Sequence, residues 1–287
     1  MRLIAIAILN GFSVAALYFT VASGFTLTFG LMRTVNLAYG SLFLFGGYAG
    51  WEIAEHTKNW YAGAAGGSAV AAIVGIALQQ GLLERIRGQD LRQALVTIGI
   101  AIVAADLMLA GFGGLTFQFT PPDWMQATTV LPIVGRFPML RLALIAVAMT
   151  IGACLWLTLT RTKIGLAIRA AVDDREMLAA IGTNPSRLFL IVAGVGAALA
   201  GLAGVIGGTA LSISPGEDSR YLLASLVVTI VGGMGSLIGA AIGALAVGLL
   251  EQFGVLYFPN YSVAVIYGLM VAVLALRPQG LMGRIAA

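Results

Sequence analysis

The side chains that ordinarily carry chemistry are scarce in this chain. Its 287 residues include one Cys (Cys154) and one His (His56). A single thiol closes no internal disulfide, and a single imidazole builds no multi-histidine zinc or haem site, so no metal site is expected. The two lysines, Lys58 and Lys163, each follow Thr. A phosphate-cradling loop needs Gly-Lys-Ser/Thr, so no Walker-type nucleotide site is present. Asp106 is the ionisable residue set well inside an apolar run. Such a carboxylate would support proton coupling, or would line a polar cavity where water or a backbone donor satisfies it. An intramembrane enzyme needs facing His, Cys, paired Asp or metal ligands, and this inventory offers little of that.

The elements that would position these few groups follow from composition. Hydrophobic residues make up 60% of the chain, a further 38 residues are Gly, and 10% are charged. A soluble domain carries about 25% charged residues. The balance excludes a soluble enzyme, a disordered chain and a coiled coil, and predicts an all-α, polytopic transmembrane helical bundle. About eight membrane segments are expected, at 4–30, 36–55, 62–83, 93–112, 139–159, 188–211, 221–257 and 261–276. The first is too long for a signal-peptide core and reads as an uncleaved helix.

Arginine placement sets the expected orientation. The intervals 84–92 (Arg85, Arg87, Arg92) and 160–187 (Arg161, Lys163, Arg169, Arg175, Arg187) and the tail (Arg277, Arg284) are expected in the cytoplasm. The interval 113–138 holds Arg136 alone, is rich in Thr, Pro and aromatics, and is expected outside with the N-terminus; Arg2 dissents. Arg33 and Glu251 sit at span ends and are expected to snorkel.

A single crossing by 221–257 would leave the C-terminus outside, against Arg277 and Arg284. At about 1.5 Å per residue it also exceeds a core of roughly 30 Å. Its middle reads Gly232-Gly233-Met234-Gly235-Ser236. A broken, re-entrant element is expected, entering from outside, stopping near Gly232 and returning. Broken backbone at membrane depth survives only where protein buries it or where it lines a cavity, and in transporters it marks the substrate path. A second interruption is expected at Arg33–Asn36, near Gly40-Ser41. Small residues recur every fourth position at Gly196, Ala200, Gly204 and Gly208, and at Gly232, Ser236, Ala240, Ala244 and Gly248. This spacing suits tight helix pairs.

The interval 160–187 is the longest polar one. Asp173 with Glu176 has capping-box spacing, Gly182 suits the position after a helix end, and Pro185 prevents continuation, so a short helix is expected over 174–181. Two turns are marginal alone in water and must dock. The docking partner is either the chain's own membrane domain or a cytoplasmic protein meeting Asp173, Asp174, Arg175, Glu176, Met177, Leu178, Ala179 and Ala180.

Gly165–Gly182, with Arg169-Ala170 and Ala179-Ala180-Ile181-Gly182, resembles the coupling loop of ABC-importer permeases. Ala200–Val205, Val231–Ser236 with Gly239 and Gly243, and Arg277-Pro278-Gln279-Gly280-Leu281 resemble the branched-chain amino acid permeases. Gly24–Leu27 and Gly30–Gly40 are similar to the H-type subunit of that family. The resemblance spans Asn10 to Gly283, nearly the whole chain. Tyr39 departs from the His that the subtype usually carries before Gly, which touches substrate identity.

The resemblance implies one transmembrane permease domain, 1–287, with the coupling loop at 160–187, in a bacterial inner membrane. It implies an importer subunit, not an enzyme, for branched-chain or related small amino acids; urea, amides and other small organic acids use similar permeases. Its partners would be a periplasmic binding protein, an M-type permease or a second copy of this chain, and two cytoplasmic ATPase subunits that hold ATP and Mg. The chain itself would carry no cofactor. The coupling residues would be Asp173, Asp174, Arg175, Glu176, Ala179, Ala180 and Gly182. Polarity near the breaks nominates Asn36, Ser41, Thr229 and Ser236 for the substrate pathway, with Asp106 and the break glycines Gly232, Gly233 and Gly235. Phe117, Phe119 and Trp124 would either meet the binding protein or anchor the interface. A stand-alone secondary transporter is the competing reading and rests on Asp106.

Overall fold

The computed structural model describes residues 2–32, 36–132, 134–173, 175–180, 182–259, 262–277 and 279–282. The fold is helical. α1 (Arg2–Phe25) loosens into a π-turn at Thr26–Leu31, and α2 (Tyr39–Thr57) follows. α3 (Trp60–Leu78) loosens likewise at Gln79–Leu83, and α4 (Asp90–Phe112) comes next. A short α5 (Asp123–Gln126) leads into a hairpin of β1 (Thr128–Leu131) and β2 (Gly135–Pro138), with Thr128 opposite Pro138. Then come α6 (Met139–Arg161), α7 (Lys163–Asp173), α8 (Arg175–Ala180), α9 (Pro185–Ala210), α10 (Asp218–Gly232), α11 (Leu237–Tyr257) and α12 (Ser262–Leu276). Among the described residues six helices are long and apolar enough to cross a membrane.

Contacts sort the elements to two ends. At one end Arg2 Nε donates to Val134 O (3.1 Å), Phe117 bridges Ile213, and Trp60 Nε1 donates to Thr209 Oγ1 (2.9 Å). The start of α1, the α2–α3 turn, the hairpin and the end of α9 therefore lie together. Arg2, the residue that dissented from the charge count, is held by the hairpin carbonyl. At the opposite end lie α7, α8, the loop before α4 and the returning C-terminal tail. There Arg87 stacks 4.0 Å over the Phe189 ring, and the Leu281 and Met282 amides donate to Val231 O and Gly232 O (2.9 Å each). The three basic segments thus share one end.

The expected break is present. α10 stops at Gly232 and α11 starts at Leu237, with Gly233 and Gly235 at φ 104° and 83°, a region that only Gly enters without strain. Ser236 caps α11 by accepting from Gly239 N at 3.0 Å. The two helices then run back on each other: Gly232 lies against the Gly239 carbonyl, and Gly243 against that of Val228. The returning limb is 21 residues, about 31 Å at 1.5 Å per residue, so it is a full-length helix rather than a half. The entering limb of 15 residues is the short one.

The interval 160–187 holds more structure than the single short helix expected. α7 precedes α8, and Pro185 opens α9 at its first turn, with Asn184 Oδ1 accepting from Ser186 N (3.0 Å) and Arg187 N (3.4 Å). Asp173 closes α7, and α8 begins at Arg175. Asp174 lies outside the described residues, as do the side chains of Asp173, Arg175 and Glu176. Gly182 ends α8 as expected: its amide bonds Ala179 O (3.0 Å) and that of Thr183 bonds Leu178 O (3.3 Å), a Schellman pair.

Candidate functional site

Three irregular backbone stretches converge near the basic end of α1. The first is the π-turn of α1. Single π-turns often sit at functional positions, because the extra residue re-aims the side chains around it. The second is the start of α2. Asn36 is buried there, its Oδ1 accepting from Ala38 N at 3.1 Å, and Tyr39 begins the helix. The third is the α10–α11 turn, whose Gly235 packs on Gly30. Thr26 and Thr229 join the first to the third by a buried hydroxyl pair at 3.1 Å. A small cavity of about 10 Å³ remains between α2, α3, α9 and the π-turns of α1 and α3, lined by Thr28, Asn36, Tyr39 and Gln79 among others. That is about the room one water needs.

The end of α1 thus meets Asn36 through the cavity that Thr28 shares, and Thr229 and Gly235 through Thr26 and Gly30. Ser41 lies two residues into α2, its Oγ 3.5 Å from Asp218 Oδ2. These polar groups are largely engaged within the chain: Thr229 with Thr26, Ser236 with Gly239 N, Asn36 with Ala38 N. Asp106 stands apart. It is exposed on α4 and makes no hydrogen bond or ion pair among the described residues. Arg33 and its neighbours Thr34 and Val35 lie outside the described residues.

Tyr39, which the sequence marked as a departure from the family pattern, and Gln79, which it did not nominate, complete the junction. Tyr39 is fully buried, and its hydroxyl donates to Gly196 O at 2.6 Å. That bond ties α2 to α9 and occupies the hydroxyl. Gln79 comes from the π-turn of α3, and its one sequence signal is a Gln pair at the end of an apolar run. A further correction concerns Glu251, which was expected to snorkel outward. Its side chain is only 16% exposed and turns toward Arg220, 3.9 Å away, with Tyr18 beside it. The partner is 31 positions distant in the chain, so local sequence does not reveal it.

At the basic end α8 is docked. Leu178 is buried with Ile168 and Ala171 of α7, against Leu27 and Met32 of the α1 end and Leu188, Phe189 and Val192 of α9. Met177, Ala179, Ala180 and Gly182 remain exposed. The helix thus has an inner anchor and an outward face. At the hairpin end Phe119 is buried against Gly208, and Phe117 packs on Trp51, so of the three aromatics only Trp124 is exposed.

Comparison with known proteins identifies this architecture. A solved chain of PsaBC from Streptococcus pneumoniae, in complex with Fab, superposes with a TM-score of 0.51 over 93% of this chain and 89% of that one, at 12% identity; this speaks for the fold alone. The high-affinity branched-chain amino acid transport system permease protein BraD of Pseudomonas aeruginosa is 25% identical, over 96% of this chain and 95% of its own length. The corresponding LivH of Escherichia coli K12 is 26% identical, over 96% and 94%. LivM of Salmonella typhimurium is 30% identical over 126 residues, 43% of this chain and 29% of its own. The family described as branched-chain amino acid transport system / permease component matches residues 7–274, and the chain belongs to that family.

Proposed function

We propose that this chain is the H-type permease subunit of an ATP-driven importer that carries branched-chain or related small amino acids into the cytoplasm. A periplasmic binding protein delivers substrate at the hairpin end. An M-type permease completes the pathway, and two ATPase subunits, which hold ATP and Mg, grip the basic end. The chain lies in the inner membrane as a single permease domain with its C-terminus in the cytoplasm, as the clustering of arginines at one end favours.

The observation that carries this reading is the two-faced α8. Leu178 fastens it to the membrane helices, while Met177, Ala179, Ala180 and Gly182 face outward. An ATPase that moves this outward face moves the ends of α1 and α9 with it. Asp173, Asp174, Arg175 and Glu176 belong to the same coupling element. Asn36, Ser41, Thr229 and Ser236 serve the pathway by holding the broken helices in register. Leucine-type side chains suit the apolar helices, while urea, amides or small organic acids are the competing substrates.

The test is purification of tagged protein from its native membrane in mild detergent, followed by reconstitution and uptake of radiolabelled leucine. Recovery of ATPase and M-type subunits, with uptake that requires ATP, is the expected result. Recovery of the chain alone, with uptake in ATP-free vesicles, would overturn the importer reading and return attention to Asp106.

A further inference from the structure

The hairpin end carries a cavity that the junction does not explain. It has a volume of about 620 Å³ and lies between the end of α2, the start of α3 and the segment 119–126. Small-molecule sites commonly fall between about 300 and 1,000 Å³. Four aromatic side chains, Trp51, Trp60, Tyr61 and Phe119, contribute to its lining. Two of these rings are held by hydrogen bonds. Trp60 Nε1 donates to Thr209 Oγ1 at 2.9 Å, and Tyr61 Oη accepts from Trp124 Nε1 at 2.8 Å. The rings bring π-systems, whose faces carry the negative lobe of the quadrupole, to a lining that also holds Asn59, Thr120 and Gln126.

The charges point the same way. Glu55, Asp123 and Lys58 are the ionisable lining groups. Lys58 Nζ sits 2.8 Å from Glu55 Oε2, so that pair is balanced. Asp123 makes no ion pair or hydrogen bond among the described residues, which leaves one carboxylate in excess. Lys58 is also one of two non-glycine residues described at positive φ (52°), held there by the tight α2–α3 turn that Asn59 caps. Backbone strain of this kind persists only where surrounding structure enforces it.

Aromatic faces with a surplus carboxylate attract a cation. We propose that this cavity is a vestibular site for a primary ammonium group carried on a small apolar body, with Asp123 and the ring faces taking the ammonium. Two sources carry that chemistry, a free amino acid and the ethanolamine headgroup of a membrane lipid. The choice of amino acid rests on the importer reading; the ammonium preference rests on the cavity alone.

The experiment is tryptophan fluorescence titration of the full chain, with the subunits that accompany it, in phosphatidylglycerol nanodiscs. The probes are leucine, 3-methylbutylamine and 4-methylpentanoate. Saturable change with leucine and the amine but not with the carboxylate, weakened at least tenfold in the Asp123→Asn/Glu55→Gln variant, assigns the site to free amines. Failure of both amines, together with native mass spectrometry showing phosphatidylethanolamine retained by the wild type and lost from the variant, assigns it to lipid. Equal response to the carboxylate, or neither amine nor lipid bound, overturns the proposal. Partial unfolding of the double variant is controlled by Lys58→Met, which removes the pair's cation and should strengthen amine binding. The readout needs no ATP, so its failure leaves the importer reading standing, and failure of ATP-driven uptake leaves the site standing.

Discussion

The inner seam of the bundle and its periphery are built on opposite rules. In the most apolar stretch of α9, 67% of residues are buried, and in that of α1, 56%. In α4 and α6 the share is 11% each. All four are similarly apolar, so hydrophobicity does not decide which helix goes inside. Lipid tails are as apolar as leucine, and helix association in a membrane depends instead on close packing and interhelical hydrogen bonds. The seam has the residues for both. Gly204 admits the Phe43 carbonyl, Gly196 admits Gly24, Gly248 admits Ala15, and Thr26 meets Thr229. On α4, by contrast, a Cβ at Gly99 or Gly111 would meet nothing within 4 Å. The same residue type is a contact surface in one region and open space in the other.

The largest effect that would break this comparison is at Gly204. Gly204→Leu drives a side chain into the backbone of α2, which cannot yield as a flexible side chain would. Overpacking costs about 1–3 kcal/mol in ordinary cores and more against backbone, so a loss of at least about 3 kcal/mol is expected, with poor recovery of folded protein. Gly99→Leu is the matched control and should stay within about 0.5 kcal/mol of wild type. Denaturant unfolding of both variants in the same detergent checks the pair. Similar losses in the two would show that α4 is packed as tightly as α9.

A smaller effect is expected at the anchor of α8. Leu178→Ala removes a buried side chain shared by α7, α8, α9 and the end of α1. Such truncations cost about 2–5 kcal/mol in a closed core. Here the cost falls at the low end, about 2 kcal/mol, because α8 can release locally rather than unfold the bundle. Hydrogen exchange should rise in residues 175–180 and stay unchanged in the membrane part of α9. In the importer proposed above, ATP hydrolysis should persist while uptake falls. Unchanged exchange at α8 would mean that Leu178 does not hold it.

The seam was more legible in the sequence than the junction it supports. Long apolar runs located the helices to within a few residues, and Gly232-Gly233-Met234-Gly235-Ser236 declared the break because no helix tolerates that composition without partners. The four-residue spacing of small side chains declared the tight faces. α7 was hidden because Lys163, Arg169 and Asp173 make its composition look like a loop, although Ile168 and Ala171 are buried on its inner face. The π-turns at Thr26–Leu31 and Gln79–Leu83 had no signal, since one extra residue in a hydrogen-bond ladder leaves the composition untouched. Polarity near the breaks nominated Asn36 and Thr229, and both are buried and bonded within the chain. Polarity alone does not tell a substrate contact from a hydroxyl already satisfied by its neighbour, and the Thr26–Thr229 pair is of the second kind.

The smallest expected effect gives the sharpest test of the periphery. Asp106 is exposed on a helix that touches the rest of the chain sparsely, and it has no partner among the described residues. Removing its charge therefore changes nothing the chain itself has built. Asp106→Asn keeps the shape of the side chain and should alter unfolding of the isolated chain by less than about 0.5 kcal/mol. A carboxylate left facing lipid is costly, by about 2.5–3.5 kcal/mol at a helix centre. Asp106 lies six residues from the end of α4, roughly 9 Å along the axis, where water at the hairpin end is within reach. If unfolding shifts by more than about 1 kcal/mol toward instability, the carboxylate has a partner within the chain and α4 belongs to the seam. A shift of that size toward stability would show that the charge is held in lipid at a cost, which a helix face reserved for a second subunit would explain.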